Sequence, residues 1–406
     1  MVDRLNDALL AYFTEHYFPK EEVMYRLPVS LSIGDFWPEL LAHRKARAVY
    51  LPLPAAKGCD YWYVPTGRLL EAGDRLSALA RADVALDLPR EQAEDGIVDE
   101  AYFSSVIEGA YTTRQQAHAF LRSGMPPQNR AEQMIRNNYE ALHFVLEHLD
   151  TPINEAAILE IARLLTEGTL EGAAKHGYRD ADVHVVSGRQ EIVYTAPDAG
   201  KIRPMMDALL LYLNDAEIHP IIKACVAHIY FVTVHPLFDG NGRTARALSY
   251  WILLRAGYSF FRQFPVSGVL AKERARYYKA IRAAQDPENG NDLTYFLEYY
   301  VEMLERSIEG IHDRLVQTRQ LSALKARLGD FPGAERILRG AQWMVQENIT
   351  SITAEKWRVK LKVSFETARQ DLQRLAQEGF VTLRVSGRRH FYDRVQEKTA
   401  STTPEA

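Results

Sequence analysis

Twelve residues, His235-Pro-Leu-Phe-Asp-Gly-Asn-Gly-Arg-Thr-Ala-Arg246, hold the side chains best suited to chemistry in this chain of 406. Gly240 and Gly242 flank Asn241, and a turn of that composition admits positive φ and lets backbone N–H groups close on an anion. Arg243 opens a helical pattern through Leu248, Trp251 and Leu254, so the turn empties onto a helix N-terminus, where the aligned peptide dipoles favour phosphate. Arg243 and Arg246 are three residues apart, with Thr244 between them, and so are neighbours on the first helical turn. Two cations at a positive helix end oppose the macrodipole unless an anion arrives to compensate. Asp239 offers a carboxylate of the kind Mg²⁺ takes alongside substrate phosphates. His235 can accept a proton near neutral pH. A base, a metal carboxylate and an anion cradle thus lie within one short segment. The chain has no GxxxxGK[ST], so this phosphate chemistry is not that of a P-loop NTPase.

The elements around this segment are mainly helical. The stretch 224–238 is the most apolar and too short to span a membrane, which predicts a buried core helix ending at His235. Ile135, Tyr139, Leu142, Leu146 and Leu149 recur at spacings of three and four, an amphipathic stripe. Further helices are expected over 155–167, 201–214, 220–234, 243–256, 272–284 and 292–324. One interruption breaks the series. Between Tyr178 and Pro197, Val183 and Val185, then Ile192, Val193 and Tyr194, flank Ser187-Gly188, a β-hairpin signal inside a helical region.

Residues 235–246 match the motif of the Fic family, His-x-Phe-x-Asp/Glu-Gly-Asn-Gly-Arg-x-x-Arg, with Leu237 where the family usually has Phe. The resemblance covers about 96–325, more than half of the chain. It implies a protein adenylyltransferase that moves AMP from ATP, with Mg²⁺, to a Ser, Thr or Tyr hydroxyl of a target protein, which could be the chain itself. In that reading His235 takes the hydroxyl proton and Asp239 holds Mg²⁺. Gly240, Asn241, Gly242, Arg243, Thr244 and Arg246 bind ATP, and Tyr277 and Tyr278 stand where the family has a tyrosine pair near the nucleotide. The hairpin with Ser187, Gly188, Ile192, Val193 and Tyr194 resembles the family's flap, which pairs with the target by strand addition. Ser104-Ser-Val-Ile-Glu-Gly109 resembles the family's inhibitory motif, which makes Glu108 and Arg246 an expected ion pair that keeps the enzyme mostly off. Removal of AMP in the same site is the alternative activity. A DNA-binding regulator that uses the Fic domain as a nucleotide sensor is another.

The rest of the chain frames these expectations. Residues 1–95 form an accessory region, with a hairpin signal around Tyr50 and Tyr61, and shaping a homodimer contact and shaping a target groove are both open for it. The breaker cluster 328–333 is expected to be a linker. Helix, helix, helix, strand, strand over 334–394 then predicts a winged helix-turn-helix domain, and the polar residues 395–406 a disordered tail. The fold class is therefore mainly α: an all-helical Fic core with a β-hairpin flap, plus this small domain. Forty-nine Lys and Arg against 53 Asp and Glu mark no bulk nucleic-acid binder, yet 334–394 holds twelve basic and seven acidic residues. Lys356, Arg358, Lys360, Lys362, Arg369, Gln370, Gln373, Arg388 and Arg389 suit phosphate contacts and groove reading, so DNA and a protein are both open as its partner. Cys59 and Cys225 form no CxxC, and neither a signal-peptide run nor a stretch of about 20 apolar residues is present, so a cytoplasmic, membrane-free protein is expected.

Overall fold

The computed structural model describes residues 2–81, 90–170, 176–186, 191–309, 311–347, 349–387 and 389–395. They fall into two compact units, one up to residue 308 and one from 309 onward.

The first unit is built around two buried helices, Pro220–Val234 and Asn241–Arg255, which pack on each other. Both are buried nearly all round, with Phe231 and Trp251 fully enclosed, so they form the centre and not a face. Helices Glu155–Thr166, Ala199–Asn214 and Thr294–Ser307 surround them. Helix Arg130–Glu147 buries Ile135 and Leu142 of the expected stripe, while Tyr139 and Leu146 are half-buried, Val145 turns inward in addition, and Leu149 falls past the helix end. Helix Arg114–Ser123 starts at a capping box between Thr113 and Gln116 and stops at Gly124, whose φ of 66° is left-handed.

The helix carrying the Ser104–Gly109 motif, Arg90–Ile107, is seated firmly. A Cβ at Gly96 would collide with the carbonyl of Arg262, so glycine permits the close approach. The buried Glu100 carboxylate accepts from the Ser267 N–H (3.0 Å) and hydroxyl at the start of helix Val266–Lys272.

Residues 1–81 are not a separate domain. Arg44 is fully buried, donates to the Tyr295 hydroxyl (2.7 Å), and lies 3.9 Å from the Tyr17 ring centre. Trp37 and Trp62 donate to the carbonyls of Glu288 (2.9 Å) and Gly290 (2.7 Å). The sequence hides this attachment because Tyr295, Glu288 and Gly290 each lie more than 200 positions from their donors. Strands Val49–Tyr50 and Trp62–Tyr63 pair antiparallel, Tyr50 opposite Trp62.

The second unit contains helices Ile311–Leu328, Ala334–Gln346, Ala354–Leu361 and Phe365–Gln377. A three-stranded sheet places Arg389–Arg394 between Ser351–Ile352 and Val381–Ser386. Two expectations are corrected here. The helix over 292–324 is two helices, separated at Ile308, and the boundary falls at 309 and not at 328–333. Leu324 and Leu328 bury in the core of the second unit with Ile337, Trp357 and Leu372, which takes their helix away from the first. The expected tail beyond Val395 lies outside the described residues.

Candidate active site

His235 ends its helix in the left-handed region, φ 50° and ψ 56°, a conformation costing a non-glycine residue roughly 1 kcal/mol. Its Nδ1 lies 3.3 Å from the Val232 carbonyl, so that nitrogen donates and Nε2 keeps its lone pair. Burial lowers its pKa below the usual 6.5, against the opposing pull of the Val232 carbonyl, Glu108 and Asp239. The imidazole is neutral at pH 7, as a base must be.

Arg179, which sequence reasoning missed, holds this bend. Its Nε donates to the His235 carbonyl (2.8 Å), its Nη1 to Ala181 (2.8 Å) and its Nη2 to Pro197 (2.5 Å). The backbone N–H of Arg179 also donates to Pro236 (2.8 Å). One buried guanidinium thus ties the base of the hairpin to the imidazole, and no local pattern around Tyr178-Arg179-Asp180 announces it. Arg179→Ala orphans three carbonyls and should destabilise the fold by roughly 2–4 kcal/mol. In chain that remains folded, kcat should fall at least about tenfold with KM little changed, because the base is displaced and not the binding groups. Equal losses in both constants would argue against a positioning role.

The turn after His235 is closed by Asn241. Its Nδ2 donates to the Leu237 carbonyl (2.8 Å) and its Oδ1 accepts from the Leu237 N–H (2.9 Å). Leu237 itself is buried, as a core position should be. Gly240 has φ 82°, and a Cβ there would come within 2.9 Å of the Thr166 methyl. The helix beginning at Asn241 has no side-chain cap, so its first N–H groups stay available to an anion.

The arginines are both buried and play different parts. Arg243 donates to the Leu165 carbonyl (2.6 Å) and to Asp239 Oδ2 (3.2 Å). Arg246 reaches across to the motif helix: Nε donates to the Ser104 hydroxyl (2.9 Å), and Nη2 to the Ser104 carbonyl (3.0 Å) and Glu108 Oε1 (2.8 Å). Its Nη1 is buried without a partner among the described residues. A Cβ at Gly242 would collide with Glu108 Oε1 and lie 3.3 Å from that Nη1. The Glu108 carboxylate therefore sits at the uncapped helix start, where an anion belongs. Burial alone would raise its pKa, but Arg246, Arg243 and Arg274 outweigh burial and hold it below the usual carboxylate range. Gly109, φ 92°, supplies the left-handed turn that ends the motif helix just there.

Residues 152–253 match the Fic/DOC family. The chain is 25% identical over 248 residues to the protein adenylyltransferase Fic of Drosophila grimshawi, covering 59% of this chain and 47% of that protein. It is 26% identical over 252 residues to that of Aedes aegypti, covering 60% of this chain and 46% of that one. The chain thus spans about half the length of these relatives. A solved Fic family protein from Desulfovibrio desulfuricans G20 superposes with a TM-score of 0.54 at 21% identity, covering 83% of this chain and 98% of that one, which shows a shared fold.

Within the matched residues 152–253, strands His184–Val186 and Ile192–Thr195 form the expected hairpin, Val185 opposite Tyr194. Ile192 and Val193 are exposed, and the Tyr194 hydroxyl donates to the Thr233 carbonyl (2.8 Å). Ser187 and Gly188 lie outside the described residues. Three placements depart from the expected nucleotide contacts. Tyr277 is buried, its hydroxyl 2.7 Å from His228 Nε2, in the layer that underlies Arg246. The Asn241 side chain is consumed in closing the turn, and the Arg243 guanidinium is largely spent on Leu165 and Asp239. Core packing and backbone satisfaction win at these positions. Thr244 is buried with its hydroxyl unpartnered among the described residues, and Tyr278 is half-buried near Ile107.

Asp239 is 40% exposed, with Oδ1 accepting from Gly240 N–H (2.6 Å) and Oδ2 facing Arg243. Among the described residues no cluster of three or more His, Cys, Asp or Glu could hold a metal alone. A single reachable carboxylate fits Mg²⁺, which completes its shell with water and phosphate oxygens.

Proposed function

We propose that the chain is a protein adenylyltransferase held off by its own Glu108. The observation carrying this reading is the Glu108 carboxylate lodged against Arg246 and the glycine turn, a built-in anion in the seat of a phosphate. An acceptor hydroxyl of the target attacks the α-phosphorus of ATP and its proton passes to Nε2 of His235. The bond from the α-phosphorus to the bridging oxygen breaks, and pyrophosphate leaves with that oxygen. The N–H groups at the start of helix Asn241–Arg255, with Arg246, stabilise the phosphates, while Arg243 and Asn241 keep the turn in shape. Bound at Asp239, Mg²⁺ would neutralise phosphate charge. Incubating the Glu108→Gly chain with α-labelled ATP and Mg²⁺ tests the reading. Covalent label lost in the His235→Ala form supports transfer, and ATP binding without label refutes it.

The second unit is read as a winged helix-turn-helix that binds duplex DNA. Its element order, the left-handed Lys362 (φ 54°) between Ala354–Leu361 and Phe365–Gln377, and its excess of basic residues support this. Arg358 and Arg369 rest on Glu355 and Glu366 in exposed pairs that phosphate could displace, and Arg388 lies outside the described residues. With three to five phosphate contacts, log Kd against log salt should have a slope of about 3 to 5. A slope near zero on a short duplex would refute phosphate neutralisation and favour protein docking.

A further inference from the structure

The Glu108 carboxylate occupies the seat of a phosphate, and the charges at that seat do not balance for the group that would replace it. Glu108 carries one negative charge and Arg246, at 2.8 Å, one positive. The Glu108 side chain is 31% exposed, so it can withdraw toward solvent while Arg246 stays buried. The α-phosphorus of ATP must face His235, so the phosphates run from there along the helix start, and Arg246, further along helix Asn241–Arg255, meets the last of them. A terminal phosphate carries about two negative charges at pH 7. Putting it in the place of Glu108 leaves one negative charge uncompensated at Arg246.

Glu108 feels three arginines, Arg246, Arg243 and Arg274. Arg243 is spent, since it is buried and bound to Asp239 Oδ2 (3.2 Å) and the Leu165 carbonyl (2.6 Å). Arg274 is not. It is exposed, and among the described residues no carboxylate pairs with it, while neighbouring Glu273 pairs with Arg306 (3.0 Å) and Arg276 (3.7 Å). Arg274 opens helix Arg274–Gln285, where a cation opposes the helix dipole, so its own helix gives no reason for it. Tyr278 stands four residues on and so on the same face, with the Arg274 guanidinium 5.7 Å from its ring centre. The Tyr278 hydroxyl lies 3.5 Å from the carbonyl of Ile107, the residue before Glu108. This tyrosine therefore braces Arg274 at the rim of the seat.

We propose that Arg274 is the second arm of the phosphate seat. When Glu108 withdraws, Arg274 joins Arg246 on the terminal phosphate and so selects a nucleoside triphosphate over a diphosphate. A diphosphate held by the helix start does not reach Arg246, and Arg274 then has nothing to hold. The proposal rests on the adenylyltransferase reading.

The test uses the full Glu108→Gly chain with Mg²⁺ and titration calorimetry with ATP and with ADP. Arg274→Ala should weaken ATP by about five- to tenfold and ADP by less than about twofold, the size of one charge-assisted contact at a partly open rim. Arg274→Lys keeps the charge and should recover part of that loss. Arg276→Ala removes an equal charge two residues away, from a side chain already held by Glu302 (3.1 Å), and should leave the ratio of the two affinities unchanged. Circular dichroism confirms the fold of each form. Equal weakening of ATP and ADP by Arg274→Ala, an unchanged ATP affinity, or the same change of ratio in Arg276→Ala overturns the proposal. Transfer of labelled AMP to the chain is read in the same forms, and with Arg274→Ala the KM for ATP should rise while kcat changes less than about threefold. A parent chain that binds ATP without transferring AMP would overturn the transferase reading and with it the part of Arg274 in the reaction. Transfer by the parent chain, with an ATP-to-ADP ratio that Arg274→Ala leaves unchanged, would overturn only Arg274.

Discussion

Exchanging Glu108 for glycine should raise self-incorporation of AMP by roughly 30- to 150-fold, because a partly buried, charge-assisted pair worth about 2 to 3 kcal/mol no longer competes for Arg246. Only one of the three hydrogen bonds from Arg246 to the motif helix is lost, since those to the Ser104 hydroxyl and carbonyl remain. The guanidinium therefore stays in place, with one arm freed to join the already unpartnered Nη1. Position 108 lies just past the helix end at Ile107, so glycine there removes the carboxylate without entering a helix interior. Initial rates of α-labelled AMP incorporation in the two forms decide the matter. Equal rates would mean that the Glu108 pair does not limit ATP.

The second large effect is a loss. In the Glu108→Gly background, His235→Ala should lower kcat by about 10²- to 10⁴-fold, the range for removal of a placed general base. ATP affinity should change little, because the imidazole is turned toward Val232 and the anion seat is formed by other groups. The pH profile gives an independent check. Transfer needs the neutral imidazole, and burial places its pKa below 6.5. As pH falls, the protonated fraction reaches one half at that lowered pKa, so the acid limb should be centred under pH 6.5 and be absent from the His235→Ala residual rate. A limb centred at or above 6.5 would contradict the burial of His235.

What could be read from the residues depended on how local the cause was. The glycine turn, the helix it feeds and the base before it lie within twelve positions, and each follows from backbone freedom or titration range. The stripe of 135–149 was legible in part for the same reason, with Ile135 and Leu142 buried and Leu149 beyond the helix. Glu108 and Arg246 lie 138 positions apart, and only the family motif suggested that they meet. Arg179 gave no warning because its partners are carbonyls, which every residue has.

The amino-acid sequence by itself determined the chemical inventory: an imidazole, a carboxylate, a glycine turn and two arginines at a helix start, set in a mostly helical chain. The tertiary structure alone decided which of those groups stay available at the site and which are absorbed by the fold. Arg243, Asn241 and Tyr277 are drawn to buried carbonyls, a backbone clamp and a core histidine, because a polar atom away from water must find a partner. It also joined residues 1–81 to the rest of the first unit and carried 311–328 into the second unit. Those outcomes turn on which apolar and charged surfaces bury together across long separations, a property no short window of sequence contains.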